Sequence, residues 1–211
     1  MQTEHWLPFA ALTAFWLAIP GRPAFLVASY AQGKGRLSAL FSVPGFVLAH
    51  VAAALAASHL TLGAYLLSPA AMTALIAIGG LLLFFAILAI AIAPEVVGPF
   101  ADNDNLRVRR LPRIFFDVFA QTFFERRTLF FYPAVAPYFL APTAEWQPQV
   151  AWLIVATALP AAFFALYPAL ASNRYLARMH RRTSLRRKAV RGGMVSLASG
   201  AVTAGYRKIA A

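Results

Sequence analysis

The sequence predicts an all-α integral membrane protein. Its six transmembrane helices form two inverted three-helix repeats, and helices one and four are broken. Three observations predict this. Only 12% of the 211 residues are charged, about half the ~25% usual in soluble domains, and 61% are hydrophobic. Residues 37–67, 68–94 and 149–172 hold no Asp, Glu, Lys or Arg, and residues 6–31 hold only Arg22. Runs of about 20 apolar residues are long enough to cross a bilayer. Finally, basic connections alternate with connections that hold no Lys or Arg.

The charge alternation also predicts the orientation. Lys34 and Arg36 follow the first apolar run. Arg107, Arg109, Arg110 and Arg113 follow the third. Arg174, Arg178, Arg181, Arg182, Arg186, Arg187, Lys188 and Arg191 follow the fifth. The intervening connections, around Ser58–Pro69 and at 141–148, hold no basic residue. By the positive-inside rule the basic loops are cytoplasmic, which puts both termini outside. The net charge of +12 is therefore read as topology and contact with anionic lipid, not as a nucleic-acid surface. The expected setting is the bacterial inner membrane, with the bilayer itself as a partner.

In order, the spans are predicted at 6–31, 37–60, 69–93, 114–141, 149–172 and 190–209. The first is read as a retained helix, not a signal peptide, because residues 1–5 supply no basic n-region. The fourth is interrupted by Asp117, Glu125, Arg126 and Arg127. The sixth is short, but Gly192, Ser196 and Gly200 recur every four residues, a spacing that lets membrane helices approach closely. Such small-residue faces also make a homodimer an option. The chain divides into a first half, 1–94, a cytoplasmic linker, 95–111, and a second half, 112–211, in a single transmembrane domain.

The two halves echo each other. LAIPGRPAFL in span one and FFERRTLFFYP in span four each place a polar or helix-breaking insert before an aromatic-aliphatic run. Pro20, Gly21, Arg22 and Pro23 break the first helix where a buried helix tolerates none of them. Non-helical backbone at membrane depth persists only when buried in protein or lining a cavity, and inverted repeats with broken helices are a common transporter plan. A charge at the bilayer centre costs about 2.5–3.5 kcal/mol on insertion scales, so such groups pair or face water. Arg22 and Glu125 are expected in one intramembrane polar site, with Arg126 or Arg127 as competing partners. The alternative is that Glu125-Arg126-Arg127 marks the cytoplasmic end of a shorter span four. His50 is a second candidate for the pathway, against a plain packing role. Asp117 is expected to be an interfacial charge paired with Arg113 one turn earlier; the alternative is a proton-carrying carboxylate.

The remaining chemistry is sparse. There is no cysteine, which excludes disulfide, thiol and iron–sulfur chemistry. His50 and His59 lie nine residues apart without an acidic cluster, so no metal site is expected. No phosphate loop or nucleophile elbow is present; neither an enzyme nor a cofactor is predicted.

The order of elements resembles the LysE/RhtB-type amino-acid exporter family. Pro20-Gly21 resembles the start of its Pro-Gly-Pro motif, and Gln32 to Arg36 its glycine-and-basic turn. Gly45, Ser68-Pro69 and Gly79 resemble features of spans two and three. Leu129-Phe130-Phe131 with Pro137 resembles its aliphatic-aromatic run, and Gly200 to Arg207 its last helix. Arg22 replaces the motif's second proline, Glu125-Arg126-Arg127 stands where the family has Asn-Pro-Lys, and His50 stands where many members have an acidic residue. The resemblance implies proton-driven export of small amino acids or amino-acid-like metabolites. Arg22 would then hold a solute carboxylate, and Glu125 an amino group or the coupling proton. Transport of another solute, a cation or an amphiphile along the Phe115–Phe124 aromatics, and a non-transporting membrane subunit are the other readings.

Overall fold

The computed structural model describes residues 6–19, 21–92, 111–140 and 146–171, and these are all-helical. The seven helices are α1 (Trp6–Ala18), α2 (Arg22–Lys34), α3 (Ala39–Leu67), α4 (Pro69–Ile92), α5 (Leu111–Phe123), α6 (Arg126–Phe139) and α7 (Trp146–Leu170). A single 3-10 turn, Arg36–Ser38, leads into α3. Helices α3, α4 and α7 are each long and apolar enough to cross a membrane, and the bent α1–α2 pair makes a fourth candidate. The α5–α6 pair, which carries Arg113, Asp117, Glu125, Arg126 and Arg127, is not among them.

Both expected breaks are present. α1 and α2 meet at 65°, with Gly21 extended at the N-cap of α2. α5 and α6 part at Phe124–Glu125, with Glu125 extended at the N-cap of α6. Pro20 lies outside the described residues, as do Gly192, Ser196, Gly200 and the predicted sixth span. One boundary differs. The stretch from Ser58 to Pro69 was expected to be a connection, but α3 runs on to Leu67 and only Ser68 separates it from α4. An uncharged sequence offers no signal to end a helix there. At 1.5 Å per residue α3 is about 43 Å long, more than the ~30 Å hydrocarbon core.

The packing depends on small residues. α3 buries Ser42, Gly45, Ala49, Ala53 and Ala57 on one face, and α7 buries Ala161, Ala165 and Ala169 one turn apart. Without a hydrophobic drive between helices in lipid, such faces let backbones come close enough for dispersion to hold them. A Cβ at Gly45 would lie 2.7 Å from the Phe115 carbonyl oxygen of α5, and one at Gly79 of α4 would lie 2.8 Å from Ala134 Cα of α6. α3 packs chiefly on α5 and α7, α4 on α6, and both α1 and α2 on α7.

The buried apolar residues form two groups. One joins Phe9 and Trp16 of α1 to Ala53 and Ala57 of α3, Phe131, Tyr132 and Val135 of α6, and Leu153 of α7. The other joins Val27 and Tyr30 of α2 to Phe46, Ile114, Val118 and the α7 alanines. The two breaks fall where these groups meet.

Candidate functional site at the two helix breaks

The sequence of α1 leaves one of its own carbonyls short of a donor. In an α-helix the Trp16 carbonyl would accept from the residue four positions on, but that residue is Pro20, which has no N–H. Two other donors serve it. The Ile19 N–H donates at 3.3 Å, and Arg127 Nη2 of α6 donates from 111 residues away, also at 3.3 Å. The same guanidinium lies 5.1 Å from the centre of the Trp16 ring. Phe131, one turn further along α6, stacks on that ring at 4.9 Å. A positive charge at a helix C-terminus also answers the negative end of the helix dipole.

The other side of the break is served by the opposite charge. The Arg22 main-chain N–H donates to the Glu125 carboxylate. This is a free donor of the first turn of α2, where Pro23 supplies none. Glu125 caps α6 only through its backbone, its carbonyl accepting from Thr128 at 2.9 Å and Leu129 at 3.0 Å. Its side chain makes no bond to its own helix and turns to α2 instead. Gly21 permits this approach. A Cβ there would sit 2.8 Å from Glu125 Oε1 and 3.1 Å from Arg127 Nη1. Glu125 and Arg127 therefore face each other across a missing methyl group, each tied to one half of the broken first helix.

Beside them is a cavity of about 20 Å³, room for one water. Gly21, Pro23, His50, Glu125, Arg127 and Thr128 line it, with Trp16 and Phe46 as apolar walls. His50 is buried in α3, its Nδ1 3.2 Å from the Tyr132 hydroxyl. Its ring also meets Phe46 edge-on at 4.6 Å. It thus touches both apolar groups at the level of the breaks.

The sequence candidates are sorted by this geometry. Gly21, Pro23, His50, Glu125 and Arg127 come together. Arg22 contributes its backbone; its side chain is exposed, and the charges of Arg127 and Arg22 both act on Glu125. Arg22 and Glu125 thus share one site, and of the two competing partners Arg127 joins them. Arg126 is exposed, because on a helix its neighbour Arg127 points about 100° away. Asp117 accepts from the Tyr30 hydroxyl at 3.0 Å, a contact from α5 across to α2. Sequence reasoning missed Trp16, Thr128 and Tyr132. A Trp four residues before a proline was a readable signal, since that spacing marks its carbonyl as unpaired. Among the described residues no group of His, Asp and Glu is placed to hold a metal ion. The chain matches no protein-family model, no curated protein and no solved structure.

Proposed function

We propose that this chain is a secondary transporter of the bacterial inner membrane that exports small amino acids or amino-acid-like metabolites, driven by the proton gradient. Six spans in two inverted halves, 1–94 and 112–211, would carry it. One observation supports the reading above the others: two helix breaks, about a hundred residues apart in sequence, meet at a half-buried carboxylate and guanidinium. A chain that needed only a stable bundle has no use for paired breaks and intramembrane charges, which cost stability. Transporters use broken helices to expose backbone ends to a solute.

The test is efflux from peptide-loaded cells expressing wild type or Glu125→Gln at matched membrane levels. Selective release of one or a few amino acids by wild type alone supports the reading. Release indistinguishable from empty-vector cells rejects it.

A non-transporting membrane subunit is the second reading, favoured by the size of the cavity. A volume of about 20 Å³ holds a water and no amino acid. Under that reading the Glu125–Arg127 pair closes the core, and efflux never exceeds the vector control.

A further inference from the structure

Glu125 fills a place suited to an anion. The break leaves the first turn of α2 without a capping side chain of its own, so its free N–H groups and the positive end of its dipole are open to a negative group. Arg127 adds a full positive charge. Its Nη2 is committed to the Trp16 carbonyl, but its Nε is buried and has no hydrogen-bond partner. A buried guanidinium N–H left unpaired is costly, since it has given up water without replacement. The guanidinium also lines the cavity beside Glu125. Because a guanidinium presents several donors in one plane, a carboxylate is the group it matches best.

We propose that the α2 N-terminus, Gly21 and Arg127 form a carboxylate-binding site, and that Glu125 is its tethered occupant, displaced when a solute brings its own carboxylate. The solute's identity rests on the transport reading, but the site itself does not. The small volume beside Glu125 favours a solute carboxylate taking its place over one sitting next to it. The displaced side chain has a second cation in reach, because the charge of the exposed Arg22 also acts on it. The exchange is one carboxylate for another, with no bond made or broken.

The site is tested by emptying it. Full-length Glu125→Ala, purified in detergent, is titrated with sodium formate at constant ionic strength against chloride, and its thermal midpoint is followed. Formate at ten times its Kd should raise the midpoint by roughly 3–6 °C for a chain of this size, saturably. Wild type, where formate must compete with the tethered Glu125, should need far more formate for the same rise, and Glu125→Ala with Arg127→Gln should lose the response. If Glu125→Ala does not fold alone, formate during expression and purification should recover it. A folded variant indifferent to formate, an equal rise in wild type at the same formate concentration, or a misfolded variant that formate does not recover each overturns the proposal. The efflux assay separates this from the transport reading. Formate rescue without efflux leaves a carboxylate site in a non-transporter, and selective efflux without rescue leaves a transporter that binds its solute elsewhere.

Discussion

Arg127 Nη2 donates to the Trp16 carbonyl at 3.3 Å, closing a gap that Pro20 opens in the first helix. A side chain of α6 thus completes the backbone of α1. The bond joins two places where the sequence alone shows only a fault.

The first prediction concerns that pair of charges. Arg127→Gln leaves the half-buried Glu125 beside the break with its main positive partner gone, at a cost below the ~3–5 kcal/mol of a fully buried pair. Adding Glu125→Gln should recover part of the loss. Thermal unfolding of the two single variants and the double measures this. A double variant that is merely the sum of the singles would show that the groups are not coupled.

Three glycine-to-alanine changes should rank in a fixed order. At Gly45 the new methyl meets a backbone oxygen at 2.7 Å, which cannot move without separating α3 from α5. Overpacking of this kind costs about 1–3 kcal/mol. At Gly21 the obstacle is a carboxylate at the end of a flexible side chain, which can swing aside at the loss of the Arg22 N–H contact, so the cost should be smaller. At Gly63, in α3, nothing lies within 4 Å, and removing a helix-interior glycine should stabilise by about 0.5–1 kcal/mol. Equal midpoints for the Gly45 and Gly63 variants would contradict the packing described for α3.

His50 and Tyr132 should behave as one unit. Tyr132→Phe removes the hydroxyl facing His50 Nδ1, leaving a buried ring nitrogen unpaired, at about 1–3 kcal/mol. Once His50 is Leu, the same change should cost less, with a coupling of about 0.5–3 kcal/mol from the double-mutant cycle. A coupling near zero would show that the 3.2 Å contact carries no energy.

The orientation can be read by labelling, since the chain has no cysteine of its own. Gln32→Cys, in the last turn of α2, and Leu67→Cys, at the far end of α3, replace exposed residues. A membrane-impermeant thiol reagent applied to intact cells should label Leu67→Cys only, with Gln32→Cys reacting after the membrane is opened. The reverse pattern would invert the proposed topology.

The legible parts of this fold are those with a local cause. Charge-free runs mark α3, α4 and α7, because lipid tolerates little else. Pro20, Gly21 and Pro23 announce the first break because their chemistry forbids a regular helix, and Glu125 lies in the second. What the sequence hides is decided by packing. Arg126 and Arg127 are adjacent and identical, and only the rotation of α6 puts one in the site and the other outside. Trp16 looks like one more aromatic in an apolar run until its partner arrives from α6. The end of α3 was misplaced because an uncharged helix and an uncharged loop read alike.

The prolines of α6 give this helix an uneven stiffness. Pro133 and Pro137 offer no N–H, so the carbonyls of Leu129 and Pro133 both lose their usual donors on one face of the helix. Gly79 lies against that same face, 3.3 Å separating its Cβ position from the Pro133 oxygen. The first turn of α6, by contrast, is pinned at Glu125 and Arg127 to both pieces of the opening helix. The segment works as a lever with a fixed foot and a soft joint two turns above it. Any tilt of its far end would be absorbed at the joint, and the charged pair at the foot would be the last contact to give way.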